Sequence, residues 1–454
     1  MSLRTLHRVF LTVCAGVVLA AMVAVMPATA TAGGLQLTVT PKVSAADAPL
    51  TIRISGAQPG ADVTLTVTSV DADGIKWNST STYTATSAGT VDTASSPEIA
   101  PYYGTDPMGS VDFMNAATMA SAKATIWPFG LPSPWGVSNT TTQPMYSWAK
   151  CSLRQAQRAC TWSKPLSFTF TATSSQANAS VTVQRGPALP VTASFENVAA
   201  TGLYGVFWQP PAGQDNHIGV VEFLGASGGI NNPVGAMLAM HGYPTLDLAY
   251  FGVPGLPQAA KDLSLEYFAK ALRWLGAQPG VDPHRLWVMG WSLGSMAALL
   301  LGAHYPDLVH GVVALQPYFA AACNEGQGSP VLTFEGQPVP CANKFPVPTN
   351  DAAALIPVAK FHEAVLLVCG GADTSMGNCA YDKTVMAQLT AAHNGYAHEL
   401  LEYSDAGHGL GALLPYYPGI VPLEMSWGLS GTSTLANPLA RADAWPKLLA
   451  FLRN

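Results

Sequence analysis

Residues 286–299 read LWVMGWSLGSMAAL. An apolar run reaches Gly290, Ser292 stands two residues later, and Gly294 opens a second apolar run, which makes a G-x-S-x-G pattern. That pattern is a nucleophile elbow only when a strand runs straight into a tight turn and the turn into a buried helix. The turn is strained and leaves no room for Cβ atoms beside the serine, hence the flanking glycines. Arg285 to Met289 predicts the strand. Leu293 to Tyr305 predicts a helix apolar on nearly every face, as in the middle of a sheet, and Pro306 ends its run. The alternative is that Ser292 merely caps its helix. The surroundings favour a nucleophile.

With 42 glycines in the chain the pattern alone decides little, and a second match stands at Gly225-Ala226-Ser227-Gly228-Gly229. Here a strand precedes, but Asn231, Asn232 and Pro233 come before any helix. These glycines fit a loop that presents backbone N–H groups to an oxyanion. Leu293, Ala226, Ser227 and Gly228 are therefore the candidate oxyanion residues.

In this arrangement the acid and the histidine follow the serine along the chain. Ala364 to Val368 predicts a strand leading into Cys369-Gly370-Gly371-Ala372-Asp373, and Asp373 is the candidate acid. His398 to Tyr403 predicts the next strand, leading into Ser404-Asp405-Ala406-Gly407-His408-Gly409. Of ten histidines, His408 alone sits among small residues in such a loop. His304 and His393 fall on helices, Asp405 is read as shaping the turn, and Asp382 as ordinary negative charge at a helix start.

Working outward, two periodicities divide the chain. From Leu35 to about Val183 apolar residues alternate: Leu35, Leu37 and Val39; Leu50, Ile52 and Ile54; Val63, Leu65 and Val67; Leu166, Phe168 and Phe170. Strands with one dry and one wet face fit an antiparallel sandwich. Residues 86–164 are irregular. After about residue 190, continuous apolar runs alternate with helical stretches such as Leu265, Phe268, Leu272 and Leu275, which implies a mostly parallel sheet covered on both faces. The fold class is α/β, with residues 33–178 as the sandwich and 179–454 as the second domain.

The first thirty residues stand apart. Arg4 and Arg8 precede an apolar run from Val9 to Met26, and Ala28-Thr29-Ala30 and Ala30-Thr31-Ala32 offer small-residue cleavage sites. This is the order of a secretory signal peptide, with an uncleaved anchor as the alternative. A secreted, periplasmic or cell-envelope protein with no membrane span after cleavage is expected. Seven cysteines become six when Cys14 leaves. They fall into near neighbours, Cys151 and Cys160, Cys323 and Cys341, Cys369 and Cys379, and local pairing is the simplest of fifteen arrangements. Free thiols are the alternative, and the Cys-x₂-Cys spacing of a zinc site is absent. Losing Arg4 and Arg8 takes the formal charge from −6 to −8. An acidic chain without a basic run is a poor partner for nucleic acid.

Several segments now resemble one family. Gly104-Thr105-Asp106-Pro107-Met108-Gly109 is similar to a D/E-P-M-G segment of the acyl-CoA thioesterases related to bile acid-CoA:amino acid N-acyltransferase. Leu263-Ser264-Leu265-Glu266-Tyr267-Phe268 resembles the segment before that family's elbow, and Asp443-Ala444-Trp445 through Phe451-Leu452 its last helix. The resemblance implies an N-terminal β-sandwich fused to an α/β-hydrolase, with Ser292, Asp373 and His408 as nucleophile, acid and base. It also implies a hairpin at Val331 to Gln337 inserted near the site. The expected activity is hydrolysis of acyl thioesters through an acyl-enzyme, without cofactor or metal. An exported esterase or acyltransferase acting on lipid or cell-envelope esters is the second expectation. A non-catalytic secreted binding protein is the third. Oligomeric state is not read from the sequence.

Overall fold

The computed structural model describes residues 34–116, 146, 148–154, 157–230, 232–323, 328–342, 352–377, 379–393 and 395–454. The signal-like segment and Cys14 lie outside them. Among the described residues no helix is long and apolar enough to cross a membrane.

The alternating stretches form two facing sheets. Gln36–Thr40, Thr51–Ser55 and Val91–Asp92 make a three-stranded sheet. The other runs Val43–Ser44, Asn178–Arg185, Leu166–Thr173, Asp62–Val70, Lys76–Thr84, Glu98–Ala100, with Asn115–Ala116 pairing Lys76–Thr84. Leu37, Val39, Ile52, Ile54, Val63, Leu65, Val67, Phe168 and Phe170 all point into the core between them. Threonine and serine on the wet faces hydrogen-bond across strands, as Thr169 does with Thr182 and Thr171 with Ser180. Since Asn178–Arg185 pairs along its whole length with Leu166–Thr173, the sandwich continues through Arg185 rather than ending at 178.

A single ten-stranded sheet carries the rest. Its strands are β1 Lys150–Arg154, β2 Gln157–Trp162, β3 Val191–Glu196, β4 Tyr204–Gln209, β5 His217–Phe223, β6 Thr245–Ala249, β7 Val281–Trp291, β8 Gly311–Leu315, β9 Ala364–Gly370 and β10 His398–Tyr403. Their spatial order is β10-β9-β8-β7-β5-β6-β4-β3-β2-β1. From β10 to β6 neighbours are parallel; from β6 to β1 they are antiparallel. The irregular region thus hides β1 and β2, which leave the sandwich and extend the second sheet. Residues 34–454 form one compact unit.

The longer α-helices among the described residues are α1 Asn232–Met240, α2 Leu265–Gly276, α3 Leu293–His304, α4 Ala380–Ala392, α5 Ile420–Trp427 and α6 Ala436–Phe451. β8 and β9 are buried at every residue because helices cover both faces of the sheet, which is why they read as unbroken apolar runs. In α2 the buried side includes Leu265, Phe268, Leu272 and Leu275, while α3 buries nearly its whole circumference.

Candidate active site

Five parallel strands, β5, β7, β8, β9 and β10, deliver Gly225, Ser292, Gln316, Asp373 and His408 from their carboxyl ends. This is the edge of an open α/β sheet where ligands bind.

Ser292 is the single residue between β7 and α3, at φ 59° and ψ −123°. Positive φ is strained for a residue with a Cβ and is held here by neighbours. Its N–H donates to Leu315 C=O at 3.0 Å, and its own C=O accepts from Ser295 N–H at 2.9 Å and Ser295 Oγ at 2.6 Å. The Ser292 side chain makes no capping bond with α3. The flanking glycines are sterically required: a Cβ on Gly290 would lie 2.1 Å from Gly294 O, and one on Gly294 2.5 Å from Leu224 O.

The loop after β5 lies directly against the serine. A Cβ at Gly225 would sit 2.6 Å from Ser292 Cβ and 3.1 Å from its Oγ. Tyr250 Oη donates to Leu224 C=O at 2.8 Å and Gly225 C=O at 3.1 Å, fixing the loop. Within it, Gly228 N–H donates to Gly225 C=O at 3.1 Å and closes a turn. Gly228 is therefore corrected from candidate oxyanion donor to turn residue. Ala226 and Ser227 form the tip of that turn, and Leu293 heads α3, where an N–H has no partner inside its helix.

Asp373 is buried in the loop after β9. Its Oδ1 accepts from Ser375 N–H at 2.7 Å and Met376 N–H at 3.1 Å, and its Oδ2 from His408 Nδ1 at 2.8 Å. With Nδ1–H committed to the carboxylate, the other ring nitrogen, Nε2, is the one available to a substrate or nucleophile. The imidazole ring centroid lies 5.4 Å from that of Trp291, the residue before Ser292. The structure thus joins Asp373 to His408 directly and brings His408 to the elbow through Trp291; among the described residues no hydrogen bond links Ser292 Oγ to the imidazole. Such bonds often tighten only in the substrate complex.

Gln316 is a residue the sequence reading passed over. Buried at φ 51° after β8, it accepts from Gly370 N–H at 2.9 Å and donates to Gly407 C=O at 2.8 Å, tying the acid strand to the histidine loop. A polar residue closing the apolar run Val309 to Leu315 was the available signal.

Disulfides join Cys323 to Cys341 and Cys369 to Cys379, the latter bracketing Asp373. Cys160 is disulfide-bonded, and Cys151 is its Cα partner across β1 and β2. Cys369, Cys379 and Asp382 offer atoms within 4.8 Å of one another, but both sulfurs are spent in the disulfide. Asp382 is not an exposed charge at a helix start: burial pushes its carboxyl up to about 8, with Asp373 and Glu402 adding to the shift. The Asp405 side chain accepts from Thr432 Oγ1 at 3.2 Å, a contact beyond its own turn. The Val331 to Gln337 segment is a hairpin, Leu332–Phe334 against Gln337–Pro338. It is not at the site. Phe334 packs with its ring tilted against His304 at the opposite end of α3, 12 residues or roughly 18 Å of helix from Ser292.

Residues 47–126 match the N-terminal region of the acyl-CoA thioester hydrolase/BAAT family, and residues 257–413 match the prolyl oligopeptidase family. Acyl-coenzyme A amino acid N-acyltransferase 2 of Rattus norvegicus is 24% identical over 92% of this chain and 98% of its own length. Bile acid-CoA:amino acid N-acyltransferase of Mus musculus is 24% identical over 92% and 97%. The chain is similar to the acyl-CoA thioesterases and to these N-acyltransferases. Acyl-coenzyme A thioesterase 1 of Homo sapiens, 25% identical, covers 59% of the chain and 66% of its own length. With its α/β-hydrolase fold, the chain is an enzyme of the hydrolase class.

Proposed function

We propose that this protein hydrolyses acyl thioesters through a Ser292-linked acyl-enzyme. The observation that carries the reading is the strained Ser292, uninvolved in capping, on the same sheet edge as the Asp373–His408 pair. His408 Nε2 takes the proton of Ser292 as Oγ attacks the acyl carbonyl, while Asp373 fixes the tautomer and stabilises the imidazolium. Leu293 N–H, with a donor from the Ala226 and Ser227 tip, receives the oxyanion. The thiolate departs and recovers the proton from His408, and the neutral imidazole then activates the water that hydrolyses the acyl-enzyme, releasing the acid and restoring Ser292. A thiolate leaves with little help from a general acid, whereas an alkoxide needs His408 to protonate it. The relatives named for acyl-coenzyme A favour the thioester, and the hydroxyl nucleophile favours transfer to water. We further infer export, from the order of parts in the first thirty residues.

A fluorophosphonate probe tests the nucleophile: labelling is expected in the wild type and absent in Ser292→Ala, and labelling that persists in the variant would sink the serine mechanism. The ratio of kcat/KM on a long-chain acyl-CoA to that on a matched oxygen ester tests the substrate. An ester preferred by orders of magnitude would overturn the thioesterase reading and favour the lipid or envelope ester.

A further inference from the structure

Two glycines flank His408, and all four of their backbone polar groups are held. Gly407 N–H donates to Asn437 Oδ1 at 2.8 Å, and Gly407 C=O accepts from Gln316 Nε2 at 2.8 Å. Gly409 N–H donates to Leu429 C=O at 3.0 Å, and Gly409 C=O accepts from Arg441 Nη1 at 3.3 Å. No slack remains around Gly409, where a Cβ would lie 2.5 Å from Glu424 Cδ and 2.6 Å from Asn437 Nδ2.

Asn437 and Arg441 stand four residues apart on one face of α6, and both are fully buried. Glu424 of α5 joins them, accepting from Asn437 Nδ2 at 3.1 Å and pairing with Arg441 Nη1. Asn437 Nδ2 also donates to Leu429 C=O at 2.8 Å, the same carbonyl that receives Gly409 N–H. A buried ion pair is weak evidence for stability, because desolvation offsets most of its attraction. What this cluster supplies is direction, since its polar atoms address the peptides on both sides of one imidazole.

We propose that Asn437 and Arg441 are positioning residues for His408, clamping the backbone on either side so that Nε2 is aimed at the Ser292 turn. The proposal rests on His408 being the base. It also gives the sandwich a task. A Cβ on Gly104 would lie 2.5 Å from Leu435 Cδ1 at the head of α6. The buried carboxyls of Asp106 and Asp112 feel the charge of Arg441. The Asp106-Pro107-Met108-Gly109 segment thus backs the helix that holds the histidine loop.

The test is a double-mutant cycle in the full chain, assayed with p-nitrophenyl butyrate. Asn437→Ala is expected to lower kcat about 10- to 100-fold, the scale of a small misplacement of a reacting group. KM should stay within about twofold, because ground-state binding is untouched. Arg441→Lys should lose less than Arg441→Met. In a His408→Ala background, Asn437→Ala should have no further effect. An undiminished kcat in folded Asn437→Ala, or an effect that persists once His408 is gone, would overturn the clamp. Asn437→Ser, the smaller change, carries the same expectations if the alanine variant does not fold. If His408→Ala keeps full activity, the triad reading falls and takes the clamp with it; if His408→Ala is inactive and folded Asn437→Ala keeps the wild-type kcat, the clamp falls alone.

Discussion

Ser292 occupies a backbone conformation that costs a side-chain-bearing residue roughly 1–3 kcal/mol, and three backbone and hydroxyl contacts keep it there. Since those contacts use its peptide groups, Ser292→Ala should fold with an unchanged thermal midpoint. It should lose kcat by roughly 10⁴- to 10⁶-fold on any good substrate, and His408→Ala should cost about as much because the two act as a unit. A second prediction concerns Asp382. Its carboxyl titrates near 8 in the fold, above the ordinary value of 3.8. Between these values the folded chain keeps a proton that the unfolded chain releases. Its contribution is therefore fully present below about pH 4 and is lost as pH rises to 8, at up to about 1.4 kcal/mol per pH unit. Thermal midpoints measured from pH 5 to 8 should fall more steeply for the wild type than for Asp382→Asn. Parallel slopes would show that the carboxyl is ionised in the fold. Burial of Asp382 was not legible from its place at a helix start.

At the scale of elements, the loop between β9 and α4 is stitched at Cys369 and Cys379, four residues before Asp373 and six after it. Opening that bridge frees the ends of the loop and leaves the Asp373 carboxylate held by Ser375 N–H, Met376 N–H and His408 Nδ1. Cys379→Ala should lower kcat roughly tenfold before the global unfolding transition moves appreciably. Unchanged turnover in that variant would show that the loop needs no stitch. The strand, turn and helix around Ser292 were legible because the pattern is local: an apolar run, two glycines in steric contact, an apolar helix. The placement of the Val331 to Gln337 hairpin was not. Its positive-φ Glu335-Gly336 turn is local, but its seat on His304 and beside Leu263–Ser264 is set by packing.

For the whole molecule, the sandwich is built into the α/β half rather than strung beside it. Trp445 Nε1 of α6 donates to buried Asp47 at 2.5 Å, and His241, just beyond α1, shares the same oxygen at 2.5 Å. Gly419 N–H donates to Met114 C=O at 3.0 Å, and β1 and β2 extend the main sheet at its antiparallel end. Asp47→Ala should therefore lower stability by roughly 2–3 kcal/mol in denaturant unfolding, as for a hydrogen bond to a buried charge. A chain cut to residues 186–454 should give no fluorophosphonate-reactive protein, although it retains all three candidate residues. A reactive, monodisperse fragment would show that the second domain stands alone.

The sequence by itself determined the two periodicities and the α/β class, and it singled out Ser292, Asp373 and His408 as candidates. These rest on alternation, chain order and glycine sterics within a few residues. Only the tertiary structure decided that β1 and β2 leave the sandwich for the main sheet, that Gly228 closes a turn, and that Gln316, Asn437, Arg441 and Glu424 surround the histidine loop. The contacts around the histidine loop are hydrogen bonds between residues from 13 to 91 positions apart. No local pattern encodes them, because a buried amide or guanidinium is chosen by the partner that the fold brings to it.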